Sequence, residues 1–138
     1  MKESSHLEIY NETNSQIPNL RILDLKNEIL GKKFELSISL LNPVNSKKIN
    51  FKQRKQKYVP NTLSFLYNKT SGEIIMTPEV IPSEMKDFDH TFDEHFLYLL
   101  IHSMLHLTGL DHGMTMDTKE EKIFKKYQKD LAKNKKLK

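Results

Sequence analysis

The sequence predicts a single α+β domain in which a small mixed sheet of about four strands packs with helices. Three observations predict it. Strand-like and helix-like segments interleave along the 138 residues instead of separating into blocks. Short apolar stretches with a period of two alternate with longer amphipathic ones. No internal repeat or long linker divides the chain, and the one lysine-rich run, residues 133–138, reads as a basic C-terminal tail.

The elements follow in order. Residues 7–10 read as a short strand. Residues 19–30 read as a helix: Pro18 suits a first turn, Leu20, Leu23 and Ile29 recur at helical spacing, and Gly31 can close it. Residues 34–40 alternate apolar and polar, the mark of a half-buried strand, which Asn42-Pro43 ends. Residues 47–57 are basic and read as a short helix carrying Arg54. Residues 62–67 and 73–76 read as strands, joined by a hairpin-length loop at 68–72 with a glycine. Residues 78–89, rich in proline and charge, read as a connector. Thr91-x-x-Glu94 is a capping-box pattern before an apolar run and opens a helix over 92–108. Thr118-x-x-Glu121 repeats the pattern and opens a last helix to about residue 133.

Composition narrows the function classes. There is no cysteine, which excludes disulfides, thiolate metal sites and cysteine nucleophiles, and fits a reducing compartment. No apolar run approaches the roughly 20 residues of a membrane-spanning helix. The N-terminal residues lack the apolar core of a secretory signal, so the expected location is cytoplasmic. The net charge of +4 is compatible with a polyanionic partner such as RNA, but also with a solvated surface.

The chemistry concentrates in the run His102-Ser-Met-Leu-His106-Leu-Thr-Gly109-Leu-Asp111-His112. His102 and His106 are four residues apart and share a helix face. Gly109 can end the helix and return His112 to the same point. Three imidazoles with a fourth position left for a zinc-bound water is the arrangement of a catalytic rather than a structural zinc site. Imidazole does not select zinc uniquely, so nickel or another divalent ion stays open. His95, two turns before His102, lies about 10 Å along the axis and is too far to share the ion. His90 and His6 read as surface or loop residues. Asp111 is either a partner that orients a ligand imidazole or a simple turn residue.

The spacing His-x-x-x-His-x-x-Gly-x-x-His makes this a zincin-like metal helix, of the kind metzincin proteases use. Those enzymes carry a glutamate base directly after the first histidine. Here Ser103 stands there, which disfavours peptide hydrolysis. Met116 reads equally as a methionine beneath a metal or as a core residue.

The whole run also resembles the YbeY family of bacterial endoribonucleases, with its signature His-Gly-x-Leu-His-Leu-x-Gly-Tyr-Asp-His. Ser103 replaces the glycine and Leu110 the tyrosine. Upstream, Ile49-Asn50-Phe51-Lys52-Gln53-Arg54 is similar to the family's Leu-Asn-x-x-Tyr-Arg. Asn61-Thr62-Leu63-Ser64-Phe65 is similar to its Asp/Asn-Val-Leu-Ser-Phe strand, and Gly72-Glu73-Ile74-Ile75 to its Gly-Asp-Ile-x strand. Met116 and Glu120 match a Met-x-x-x-Glu pattern in its last helix. The resemblance implies a zinc-dependent, single-strand-specific endoribonuclease. It would act in maturation of the small-subunit ribosomal RNA 3′ end and in ribosome quality control, with RNA, the small ribosomal subunit and its associated proteins as partners. It places the family's functional arginine at Arg54, which would grip the scissile phosphate, with Lys52 and Lys55 adding backbone attraction. Two other classes remain: a metalloprotease-like hydrolase, and a non-catalytic ribosome-associated factor stabilised by zinc.

Overall fold

The computed structural model describes residues 6–136, with side chains as far as Leu131. Four strands form one sheet in the order β1-β2-β4-β3: β1 is Leu7–Asn11, β2 Glu35–Leu40, β3 Thr62–Asn68 and β4 Ser71–Met76. β1 and β4 both run parallel to β2, whereas β3 and β4 form an antiparallel hairpin. The sheet is therefore mixed, as the interleaved pattern predicts.

Period-two alternation decides which side chains face where. Leu36, Ile38 and Leu40 of β2 share a face with Ile74 and Met76 of β4, and these five enter the main core. Leu63 and Ile75 point to the opposite face and join Leu41 in a smaller cluster under Ile49 and Phe65. Ile49 belongs to α2, Pro43–Arg54, so this helix covers the second face.

The main face is covered by α4, Phe92–Leu107, which buries ten of its residues, including Phe96, Leu100 and Met104. α1 (Ile22–Leu30), α3 (Ile81–Phe88) and α5 (Met114–Lys136) pack around α4. Lys26 of α1 is fully buried, yet its ammonium donates to the Gly31 and Lys32 carbonyls and to Asn27 Oδ1, closing the C-terminus of α1.

Several boundaries differ from the sequence reading. α1 begins at Ile22 rather than 19. α2 begins at Pro43, because Asn42 caps it by accepting from the Asn45 N–H at 2.9 Å and Pro43 fits its first turn. Residues 78–89 are no connector: a 3₁₀ turn, Pro78–Val80, leads into α3. The signal was present, since Ile81, Met85 and Phe88 recur at helical spacing behind Pro82, but proline and charge masked it. α5 starts at Met114, so Thr118 and Glu121 lie inside the helix and form no cap, and it extends to Lys136. The rest of the basic tail lies outside the described residues.

The hairpin is also tighter than the sequence implied. Gly72 is a strand residue, and a Cβ there would sit 2.8 Å from the Phe65 carbonyl oxygen, so only glycine fits.

Candidate metal centre and its cleft

α4 positions two of the three site histidines. Its start is fixed by the predicted capping box, in which Glu94 N–H donates to Thr91 Oγ1 at 3.2 Å and Thr91 N–H donates to Glu94 Oε1 at 2.9 Å. Its end is fixed by Gly109, at a φ of +95° that most side chains avoid. Between them His102 and His106 project from one face, with ring centroids 4.7 Å apart and planes nearly perpendicular. The chain then reverses. His112 comes to 5.1 Å from His102 and 4.9 Å from His106, centroid to centroid. One ring nitrogen from each of the three lies within 4.8 Å of the others.

The outer nitrogens fix the tautomers. His106 Nδ1 is 3.1 Å from the Leu110 carbonyl oxygen, which only accepts, so Nδ1 carries the proton. His102 Nδ1 is 2.6 Å from Glu120 Oε2 and donates to that carboxylate. With the protons on Nδ1, each ring in its neutral form presents an Nε2 lone pair, and the two Nε2 atoms stand 3.2 Å apart. Two lone pairs at that distance repel unless a proton or a cation lies between them. Two nitrogens at about 2.0–2.1 Å from one tetrahedral ion stand about 3.3 Å apart, so the donor set fits a divalent metal. Burial first, and then the neighbouring His102, hold the His106 pKa below the ordinary imidazole value, which favours the neutral, ligating form.

Glu120 is the residue that sequence spacing did not assign a role. It is buried on α5, four residues after Met116. A carboxylate at that depth needs a partner, and His102 provides one. Asp111, the candidate read from the sequence, is exposed and bonds to none of the ligand imidazoles; it acts on His106 only as a nearby negative charge. Met116 is a core residue, packed in the main cluster.

Ser103 points away from the histidines. It is buried against the sheet, where its hydroxyl donates to Thr62 Oγ1 at 3.0 Å. It therefore stands where no substrate reaches.

The three histidines open on a cleft of about 830 Å³, which Arg54 also lines. Arg54 is the last residue of α2, and its guanidinium has no partner among the described residues. Its position is set from below. Asn50 is fully buried and its Nδ2 donates to the Tyr58 carbonyl at 3.0 Å, pinning the loop that follows Arg54. Lys52 and Lys55 are exposed at the same helix end but do not line the cleft; Lys55 Nζ lies 5.8 Å over the Phe51 ring.

His95 is fully buried and turned from the triad. Its Nε2 lies 2.9 Å from Glu84 Oε1 and its Nδ1 3.1 Å from His90 Nδ1. His90 is thus half-buried in this cluster, stacked near Phe88 and Phe124, and not a free surface residue. Glu84 and His95 line the cleft with Arg54; the sequence reading missed Glu84 because it missed α3.

A family model described as Endoribonuclease YbeY matches residues 2–135. The chain belongs to the YbeY family. An endoribonuclease YbeY from Francisella philomiragia is 26% identical over 134 residues, spanning 86% of this chain and 85% of that one. One from Mesomycoplasma hyopneumoniae is 31% identical over 118 residues, spanning 75% and 78%. A Thermotoga maritima protein whose structure was solved in solution has the same fold, with a TM-score of 0.63, 24% identity and 93% of both chains covered. Three of the YbeY-like segments quoted from the sequence converge on the cleft: Arg54, Asn61 to Ser64 and the three histidines all line it.

Proposed function

We propose that this chain is a metal-dependent endoribonuclease that cuts single-stranded RNA in ribosomal RNA maturation. The observation that carries the proposal is one cleft that holds three convergent imidazoles and an unpaired guanidinium. Membership of the YbeY family, whose curated relatives are named endoribonucleases, supplies the substrate class. Processing of the small-subunit RNA 3′ end, ribosome quality control, small-subunit partners and a cytoplasmic location belong to the same proposal.

A divalent ion, with zinc the leading candidate, would be held by His102, His106 and His112 and would supply Lewis-acid charge at the scissile phosphate. Arg54 binds that phosphate through its planar fork and offsets the charge that builds in the transition state. Glu120 and the Leu110 carbonyl keep the protons of His102 and His106 on Nδ1, so that both Nε2 atoms face the cleft. The nucleophile is water or the RNA 2′-hydroxyl. Peptide hydrolysis is disfavoured because the position of a protease's glutamate base is the sequestered Ser103.

The test is cleavage of single-stranded RNA by the purified protein with zinc, with a chelator, and in His106→Ala and Arg54→Ala. Metal-dependent cleavage lost in both variants is the expected result. Cleavage that survives chelation and His106→Ala would overturn the proposal. Products ending in 2′,3′-cyclic phosphate would identify the 2′-hydroxyl as the nucleophile.

A further inference from the structure

We propose that the end of the cleft bounded by Glu84, Phe88 and Tyr98 is a pocket for the nucleobase that flanks the cut phosphate. It would prefer a base carrying an amino group over uracil. The inference rests on the reading of the cleft as an RNA-cutting site.

His95 precedes His102 by seven residues, so the wall it supports lies about 10 Å along the helix from the triad. That is within reach of a neighbouring nucleotide on the same strand. Electrostatics divide the cleft. At one end the triad, with a divalent ion held there, would attract phosphate, whereas at the other Glu84, held against His95, and Asp87 on the same helix repel it. A polyanion crossing the cleft therefore places its backbone at the first end and a base, not a phosphate, at the second.

The second end is built for a base. Phe88 is 46% exposed although it caps the aromatic cluster of the cleft. Its ring lies 5.0 Å from Tyr98 and 4.9 Å from His95. Tyr98 in turn stacks on His95 at 5.6 Å and on His102 at 5.9 Å, both within 30° of parallel. The result is a rigid aromatic wall running from the pocket to the triad. Base stacking on such a ring is a standard means of holding single-stranded RNA.

Glu84 adds selection. His95, with no exposure, lies at hydrogen-bond distance from Glu84 Oε1, and Asn61 Nδ2 donates to both carboxylate oxygens at 3.2–3.3 Å. A fully buried imidazole spent on orienting a cleft carboxylate has no use in the phosphate chemistry. Oε2, bound only by the shared Asn61 donor, retains acceptor capacity. It accepts from an exocyclic amino N–H on a base edge. Uracil offers one N–H between two carbonyl oxygens, and these face the carboxylate unfavourably.

The experiment uses short single-stranded RNA oligomers that vary only in the nucleotide flanking the cut, as G, A, C or U. Steady-state kinetics are measured on the metal-loaded protein, and binding anisotropy in the His106→Ala background. Phe88→Ala should raise KM and Kd about tenfold with kcat kept, the effect of one lost stacking contact. Phe88→Trp should restore both. Glu84→Gln should erase the discrimination against U. If Phe88→Ala does not fold, Phe88→Leu keeps apolar bulk without a ring face. Cleavage with KM and base preference unchanged in the Phe88 variants and in Glu84→Gln would overturn the pocket and leave the nuclease reading standing. RNA bound through Phe88 but never cut would support the pocket and sink the nuclease reading. RNA neither bound nor cut would overturn both.

Discussion

The Ser103 hydroxyl donates to Thr62 Oγ1 at 3.0 Å across the interface between α4 and β3, joining residues 41 apart in sequence. Both positions depart from the YbeY-like pattern, in which a glycine follows the first histidine and a valine precedes Leu-Ser-Phe. The two departures answer each other: a buried hydroxyl on the helix meets a hydroxyl on the strand. Ser64 reinforces the contact by donating to the Ser103 carbonyl at 3.2 Å.

This pairing predicts non-additive stabilities. Thr62→Val leaves a buried serine hydroxyl without its acceptor and should cost about 1–3 kcal/mol in denaturant unfolding. Ser103→Gly should also destabilise, by helix propensity and lost packing. The double variant should be more stable than the sum of the two by about 1 kcal/mol. Strict additivity would show that the hydroxyls do not support each other.

Glu120, not Asp111, should govern affinity at the triad. Glu120→Gln keeps an acceptor for His102 Nδ1 but removes the charge, and should weaken divalent-metal binding about 10–100-fold in competition with a chromophoric chelator. Asp111→Asn should change it little, since Asp111 touches no ligand ring. The reverse ranking would return Asp111 to the role first read from the sequence.

Arg54 should be separable from stability. Its side chain is exposed and unpaired among the described residues, so Arg54→Lys should leave the unfolding midpoint within about 0.5 kcal/mol of the native value. The same change removes the bidentate fork and should lower kcat for RNA cleavage about 10²–10³-fold. Full activity with lysine would mean that a point charge suffices.

Tyr127 should make the fold sensitive to alkali. Burial, and then its 2.9 Å hydrogen bond to Glu28, push the phenol up to about 12. A pKa raised above the unfolded value near 10 gives stability that is complete below pH 10 and is lost as pH rises towards 12. Tyr67, raised to about 12 by its hydrogen bond to Glu73 and by burial, contributes over the same window. The unfolding midpoint should therefore fall between pH 10 and 12, and less steeply in Tyr127→Phe. An identical slope in that variant would remove Tyr127 from the account.

By itself the sequence determined whatever depends on local period. The alternation of β2, the capping box of α4 and the run from His102 through Gly109 to His112 are set by 2.0 and 3.6 residues per repeat and by one glycine. Neighbours in sequence are then neighbours in space. The helix at Ile81–Phe88 was legible in the same way, but its spacing was outweighed by proline and charge. Only the tertiary structure decided which distant groups meet. Glu120 reaches His102 from α5, Thr62 meets Ser103 from β3, Glu84 meets His95 from α3, and Arg54 enters the cleft from the far side of the sheet. These pairings cross from one element to another, so they are fixed by how α4 packs on the sheet and by the need of each buried polar group for a partner. Sequence spacing carries no record of either.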